Sequence, residues 1–406
     1  MKLDELYDLF DRLRPFRRRA AAAMLRNELG RGASFPIGSC ETCRATLHEL
    51  ESASSLLASL PGSGTQRELL VDGRHATLNL DYEITELERD VTCLRDGPAA
   101  VSRLLWAPES SGEQIDGMLE LFGDTAYAAA FSDRDGTITN YCGRYRSSHQ
   151  PLYAAVEIAR FARDRCDEFF VVTSGPLYGH GLLSLSSFPD ETVHLAGSKG
   201  REFKLADGKT GSYPLSDEQR AAIIRLDHDV QELLDRPEYR LLSAIGSGYQ
   251  RKFGQLTVSR QDVHRSVPED LSGAFLHDVR RLVGRVDPEH TRFEIDDTGF
   301  DVEITLVAEG DRRRGFDKGD GVRFLVDSLA LDLRGVPVLV CGDTPGDVPM
   351  LESLAEAGAR THAVFATEDE ALRRVVRERA TASAFCSGPD VLVAALGSAA
   401  DRGGTK

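Results

Sequence analysis

The chain has 406 residues, 41% of them hydrophobic and 28% charged, with a formal net charge of −16: an ordinary globular composition, long enough for two or three domains. The negative balance argues against a nucleic-acid partner, whose phosphates it would repel, and no apolar run approaches the roughly 18 residues of a membrane span. Seven scattered cysteines, with a single C-x-x-C pair (Cys40, Cys43) that lacks a second pair to complete a zinc site, suit reduced thiols in a cytoplasmic protein.

Residues 1 to 115 read as a helix-rich amino-terminal region. Leu3, Leu6, Tyr7, Phe10 and Leu13 recur at helical spacing until Pro15 interrupts them. Arg17-Arg18-Arg19 precedes an apolar run too short for an export signal, so a helix with a basic patch is expected. His48 to Leu60 is a second helix. Pro61 to Thr65 is a loop that carries Gly-x-Gly but no Gly-Lys-Ser/Thr, which argues against a nucleotide P-loop. Arg67 to Leu94 suggests a hairpin and then a helix, with no recognisable chemistry. This region is a candidate for packing or self-association. The turn-rich stretch Trp106 to Glu113 marks its boundary.

A helix over Gln114 to Phe122 leads into Ala128-Ala129-Ala130-Phe131-Ser132, a buried strand that ends in Asp133-Arg134-Asp135-Gly136-Thr137. Strand ends of this kind are where open α/β sheets place ligands. Asp133 could attack a phosphorus atom, and Asp135 could act as general acid and base. Two close carboxylates repel, so a cation such as Mg²⁺ is expected between them. Pro151 to Cys166 is helical and Glu168 to Ser174 is the next strand. A right-handed crossover puts Ser174 beside Asp133, able to hold a phosphate oxygen with help from the Gly175 N–H; it could instead cap a helix, and Thr173 is the alternate hydroxyl.

Lys318 follows Ser174 by 144 residues, which requires an inserted unit. Within it, Ser216 to Gln219 is a capping box opening a helix striped by Ile223, Leu226, Val230 and Leu233. Leu256 to Val258 is a strand, and Phe293 to Ile295 and Val302 to Leu306 alternate about Asp297-Thr298-Gly299 as a hairpin. Such a unit makes an α+β lid. Lys252 and Arg260 could clamp phosphate or sugar hydroxyls, or simply face solvent. Glu303 points away from the packing side of Val302 and Ile304. Val336 to Cys341 is a central strand ending at Gly342-Asp343, with Asp347 following. Residues 362 to 397 repeat strand and helix twice.

These clusters resemble, in order, the motifs of the haloacid dehalogenase-like phosphatases: Asp133-Arg134-Asp135-Gly136-Thr137, Phe169 to Gly175, Lys318, and Val338 to Asp343 with Asp347. The resemblance covers roughly residues 122 to 400. It implies a doubly wound α/β core in two parts (116–180 and 312–400) interrupted by an α+β cap (181–311). It further implies Mg²⁺-dependent hydrolysis of a phosphate monoester. In that reading Asp133 is the nucleophile and Asp135 the acid/base. The metal sits on Asp133, the Asp135 carbonyl and Asp343, Asp347 lies behind it, and Ser174 and Lys318 hold the phosphoryl group.

A finer resemblance is to trehalose-6-phosphate phosphatases. It rests on Leu195-Ala196-Gly197-Ser198-Lys199-Gly200, Tyr249 to Lys252, Arg260 and Val302-Glu303-Ile304. Pro176 stands where that group has arginine, and Gln250 where it has glutamate. The substrate implied is trehalose 6-phosphate first, then another compatible-solute glycoside phosphate such as glucosylglycerol phosphate. A receiver-type regulator, which binds a phosphoryl group without turnover, needs neither the insertion nor an Asp two residues after the nucleophile. Asp135 therefore favours turnover.

Overall fold

The computed structural model describes residues 1–402 except 27–39, 72, 106–108, 244, 263–264 and 308–314. Trp106 to Pro108, which open the expected boundary stretch, and the expected 311/312 junction lie outside the described residues. Among the described residues no helix is long and apolar enough to cross a membrane.

An eight-stranded sheet forms the centre. Its order is Ala382–Cys386, Arg360–Ala366, Pro337–Gly342, Tyr127–Ser132, Cys166–Val172, His194–Gly197, Glu202–Lys204 and Thr210–Ser212. The first six strands run parallel, and the last two are added as an antiparallel hairpin edge. Ala129, Phe131, Val338 and Val340 on one face and Ala130, Leu339 and Cys341 on the other are buried, as strands covered by helices on both faces must be. This is the doubly wound α/β core expected from the sequence.

The segment 194–212 departs from expectation. The sequence placed it in a cap spanning 181–311, yet its strands belong to the main sheet. His194–Gly197 pairs in parallel with Cys166–Val172, so the chain returns to the core before leaving it. Only after Ser212 does a second unit begin. Helix Asp217–Leu234, opened by the Ser216–Gln219 capping box, and helix Glu269–Val286 pack on an antiparallel sheet. The order of that sheet is Phe293–Asp297, Asp301–Leu306, Gln255–Ser259, Tyr249–Lys252. Leu226, Val230, Phe275, Val279, Val258 and Ile304 form its separate core.

Within the main unit, helix Lys318–Ser328 packs tightly against the turn that follows strand His194–Gly197. Gly321 of this helix lies on the turn Ser198–Gly200, and a methyl there would run into the carbonyl of Lys199. Gly321→Ala should therefore cost about 1–3 kcal/mol of stability by overpacking. Denaturant unfolding would read this as a lower midpoint at unchanged slope.

The amino-terminal region shares the central core. One continuous cluster joins Leu6, Phe10, Met24 and Leu50 to Tyr127, Phe161 and Leu396. Pro15 does not end the first helix, which runs Leu3–Arg26. Leu9, Phe10, Leu13, Ala20 and Met24, buried on both sides of the proline, hold the helix together across it. The Cys40 sulfur accepts from the Cys43 N–H at 3.2 Å, so this C-x-x-C pair begins helix Glu41–Ser59. The expected hairpin (Gln66–Val71 with Arg74–Asn79) and helix (Asp81–Asp96) follow.

Candidate active site

The central strand Tyr127–Ser132 is flanked by Pro337–Gly342 and Cys166–Val172, so their carboxyl ends share one rim. The Asp133 N–H extends the ladder by donating to the Cys341 carbonyl at 2.9 Å. The chain then turns tightly: the N–H groups of Ile138 and Thr139 both return to the Arg134 carbonyl at 3.0 Å. Gly136 makes the turn possible with φ +83°, and a side chain there would strike the Asp343 carboxylate and the Tyr141 ring.

Lys318 arrives as the first residue of its helix, whose N-terminus is capped reciprocally by Asp317 and Asp320. Its ammonium lies 2.5 Å from Asp133 Oδ1 and 2.5 Å from Asp347 Oδ1. The second oxygen of Asp347 accepts from the N–H groups of Asp343 (3.1 Å) and Thr344 (3.0 Å) and from the Thr344 hydroxyl (3.1 Å). Asp343 accepts from the Thr137 hydroxyl at 3.0 Å and from the Tyr141 phenol at 2.7 Å. One oxygen each from Asp133, Asp343 and Asp347 lies within 4.8 Å of the others.

The electrostatics follow from burial. Burial pushes the Asp133 carboxyl well above the usual range, and Asp347 and Asp343 add to that against the pull of Lys318. Burial and the Asp347 charge raise Asp343 to about 6. Burial alone would lower Lys318, but Asp133 and Asp347 outweigh it and hold the ammonium charged. Burial also opposes the charge of Asp347, yet Lys318 and the backbone N–H donors keep its carboxyl below the ordinary value. Three carboxylates thus face one ammonium. Hard oxygen donors with a surplus of negative charge suit a small divalent cation, and Asp347, saturated by Lys318 and three other donors, leaves Asp133 and Asp343 to meet it.

Asp135 sits apart from that cluster. Its carboxylate pairs with the Arg134 guanidinium and accepts from the Ser148 hydroxyl at 3.3 Å. It still lines the same cavity, of 390 Å³, as Asp133, Ser174 and Lys318. Lys252 and Glu303 of the second sheet line it as well. Glu303 pairs with Lys199 at 3.3 Å and Lys252 at 3.9 Å. Burial of Glu303 works against its charge, but the two lysines hold its carboxyl below the usual range. Burial pulls the Lys252 ammonium down.

Two expectations need correction. Arg260 does not reach the cavity: its guanidinium binds Asp297 at 2.8 Å and the Ser272 hydroxyl at 2.6 Å, and so ties the tip of a hairpin to a helix. The Gly175 N–H does not assist Ser174, because it donates to the Thr173 hydroxyl at 3.1 Å. Thr173 and Ser174 both line the cavity, and the Thr173 hydroxyl, which accepts from that N–H, keeps its own O–H to donate.

Residues 130–392 match the family described as trehalose-6-phosphate phosphatase, C-terminal. The chain belongs to this family. Similar proteins include several from nematodes. A protein of Aphelenchoides avenae named alpha,alpha-trehalose-phosphate synthase (UDP-forming) 1 is 29% identical over 98% of this chain and 36% of its own length. A trehalose-phosphatase of Caenorhabditis elegans is 34% identical over 65% of this chain and 61% of its own length. The solved C-terminal domain of a C. albicans trehalose-6-phosphate phosphatase superposes with TM-score 0.44 at 16% identity, covering 70% of this chain and 96% of that one. The chain therefore spans about a third of the synthase relative, and that match takes in nearly all of the amino-terminal region together with the trehalose-6-phosphate phosphatase segment.

Sequence reasoning missed Tyr141, Thr137 and Ser148 as partners of the aspartates. It also missed three buried carboxylates of helix Asp81–Asp96: Glu83, Glu86 and Asp90. Their spacing was visible, since they recur every three or four residues beside the apolar Leu87 and Leu94.

Proposed function

We propose that the protein is a Mg²⁺-dependent phosphatase that converts trehalose 6-phosphate to trehalose and phosphate. The observation that carries this is the meeting of Asp133 and Lys318 with Lys252 and Glu303 around one cavity, in a chain of this family. The lower pair suits a phosphoryl group; the upper pair suits sugar hydroxyls.

In this reading an Asp133 oxygen attacks phosphorus while the bond from phosphorus to the sugar oxygen breaks. Asp135 gives its proton to that oxygen, and trehalose leaves. Water then attacks the aspartyl-phosphate, Asp135 takes a proton from it, and the Asp133–phosphorus bond breaks to release phosphate. Lys318, held charged, and Ser174 face the transferring oxygens. Mg²⁺, held by Asp133, Asp343 and the Asp135 carbonyl with Asp347 behind, would neutralise phosphoryl charge. The unit built by residues 216–306 serves as the cap that excludes water and reads the sugar.

The test is phosphate release by the purified chain from trehalose 6-phosphate, glucosylglycerol phosphate and glucose 6-phosphate. Trehalose 6-phosphate should turn over fastest. Chelation with EDTA should abolish release, and added Mg²⁺ should restore it. A faster rate on another ester would reassign the sugar. No release from any of them would leave a phosphoryl-binding regulator.

A further inference from the structure

Helix Asp81–Asp96 of the amino-terminal region grips the loop that lies over the site. Glu83 is fully buried, and among the described residues its side-chain hydrogen-bond partners come from that loop. Its carboxylate accepts from Arg144 (Nε at 3.1 Å, Nη2 at 2.7 and 2.8 Å), from the Ser147 hydroxyl at 2.5 Å and from the Cys142 thiol at 3.9 Å. Neighbouring turns of the helix extend the grip. Glu86 accepts from the Asn140 amide at 3.0 Å, the Tyr82 phenol donates to the His149 carbonyl at 2.8 Å, and Asp90 accepts from the Leu152 N–H at 2.6 Å. One helical face thus fixes residues 140–152.

The other side of the same loop touches the site at three points. Tyr141 donates to Asp343, and Ser148 donates to Asp135 and accepts from Arg134 at 3.1 Å. The Tyr145 hydroxyl occupies the space a side chain at Gly175 would need. An ion pair serving stability alone would have no reason to gather its donors from the one loop that orients Asp135, Asp343 and the turn beside Ser174.

We infer that Glu83 is a positioning residue for the phosphatase reaction: through Arg144 and Ser147 it holds the loop that aims Asp135 and Asp343. This makes the amino-terminal region part of the catalytic unit. The inference deepens the proposed function and rests on it. Displacement of reacting groups by about an ångström costs on the order of 10- to 100-fold in rate. Because Ser148 and Tyr141 orient groups that act in the transition state, kcat should carry the loss and KM should stay nearly unchanged.

The experiment uses the full chain as Glu83→Gln, Arg144→Met and the double variant. The double variant removes both charges and strands neither, so it tests the grip even if a single variant folds poorly. With trehalose 6-phosphate, each single variant should lose kcat by on the order of 10- to 100-fold with KM within about threefold. The double variant should be no slower than the slower single, because both release the same loop. Hydrogen–deuterium exchange should rise in residues 140–149 and stay unchanged in the strands of the main sheet. Unchanged exchange in that loop, unchanged kcat with a loosened loop, additive losses, or exchange rising throughout the chain would each overturn the inference. A wild-type chain that released no phosphate would bring down the proposed function instead, while loop exchange would still report whether Glu83 anchors it.

Discussion

Asp133→Asn is expected to abolish phosphate release, by on the order of 10⁴-fold or more, in a protein that stays folded. The amide matches the carboxylate in shape but is no nucleophile, so no aspartyl-phosphate forms. Stability should move the other way. Burial raises the Asp133 carboxyl well above its ordinary value, and Asp347 and Asp343 raise it further. The folded protein therefore holds this proton more tightly than the unfolded chain does. That contribution is present below the ordinary carboxylate value and is lost as pH rises through the folded one. The metal-free wild type accordingly weakens as pH rises above the ordinary carboxylate value, and the variant lacks this part of the weakening. Lys318 keeps Asp347 as a partner in the variant. Thermal unfolding at neutral pH with EDTA should thus show a midpoint equal to or above that of the wild type, and Mg²⁺ should raise the variant's midpoint less. Phosphate release that survived the substitution would remove Asp133 from the chemistry altogether.

The rim that gathers Asp133 and Asp343 was legible because α/β topology makes strand ends predictable. Asp133 and Asp343 each follow an apolar run that can only be a covered strand, and parallel strands linked by helices bring such ends to one edge. Lys318 was legible for a related reason: it starts an amphipathic helix that feeds the Pro337–Gly342 strand. Arg260 was not, because a polar residue beside a two-sided hairpin can turn to solvent, substrate or a neighbour. Register decides among these, and here Asp297 captures it. The segment 194–212 misled because its edge strands, Glu202–Lys204 and Thr210–Ser212, are three residues long, too short for periodicity to show. Glu83 was hidden more deeply. A carboxylate on a helix normally marks the wet face. Only the fold reveals that Arg144, 61 positions away in sequence, arrives to neutralise it.

Lys318→Met should cost both activity and folding, and the two losses should respond differently to metal. The ammonium bridges Asp133 and Asp347, each at 2.5 Å. Methionine keeps the unbranched, apolar stem but leaves two buried carboxylates without their counter-charge, with Asp343 close by. Removing one partner of a buried ion pair costs about 3–5 kcal/mol, since the stranded charge cannot return to water. Asp347 retains its backbone and Thr344 donors, which places the loss toward the lower end. Mg²⁺ meets the same surplus of negative charge, so it should recover part of the stability, and the gap between EDTA and Mg²⁺ midpoints should widen relative to the wild type. Activity should not recover with it. A preorganised cation facing the transferring oxygens is worth on the order of 10²–10³-fold in rate, and Mg²⁺ held by Asp133 and Asp343 would not replace the N–H donors of the lysine. Arginine should fail as well: a compact ammonium with three donors spans two carboxylates and still has one donor for a phosphoryl oxygen, whereas the planar guanidinium fork needs more room. A Lys318→Met protein with wild-type kcat, or with an unchanged midpoint in EDTA, would show that the ammonium is not what balances these carboxylates.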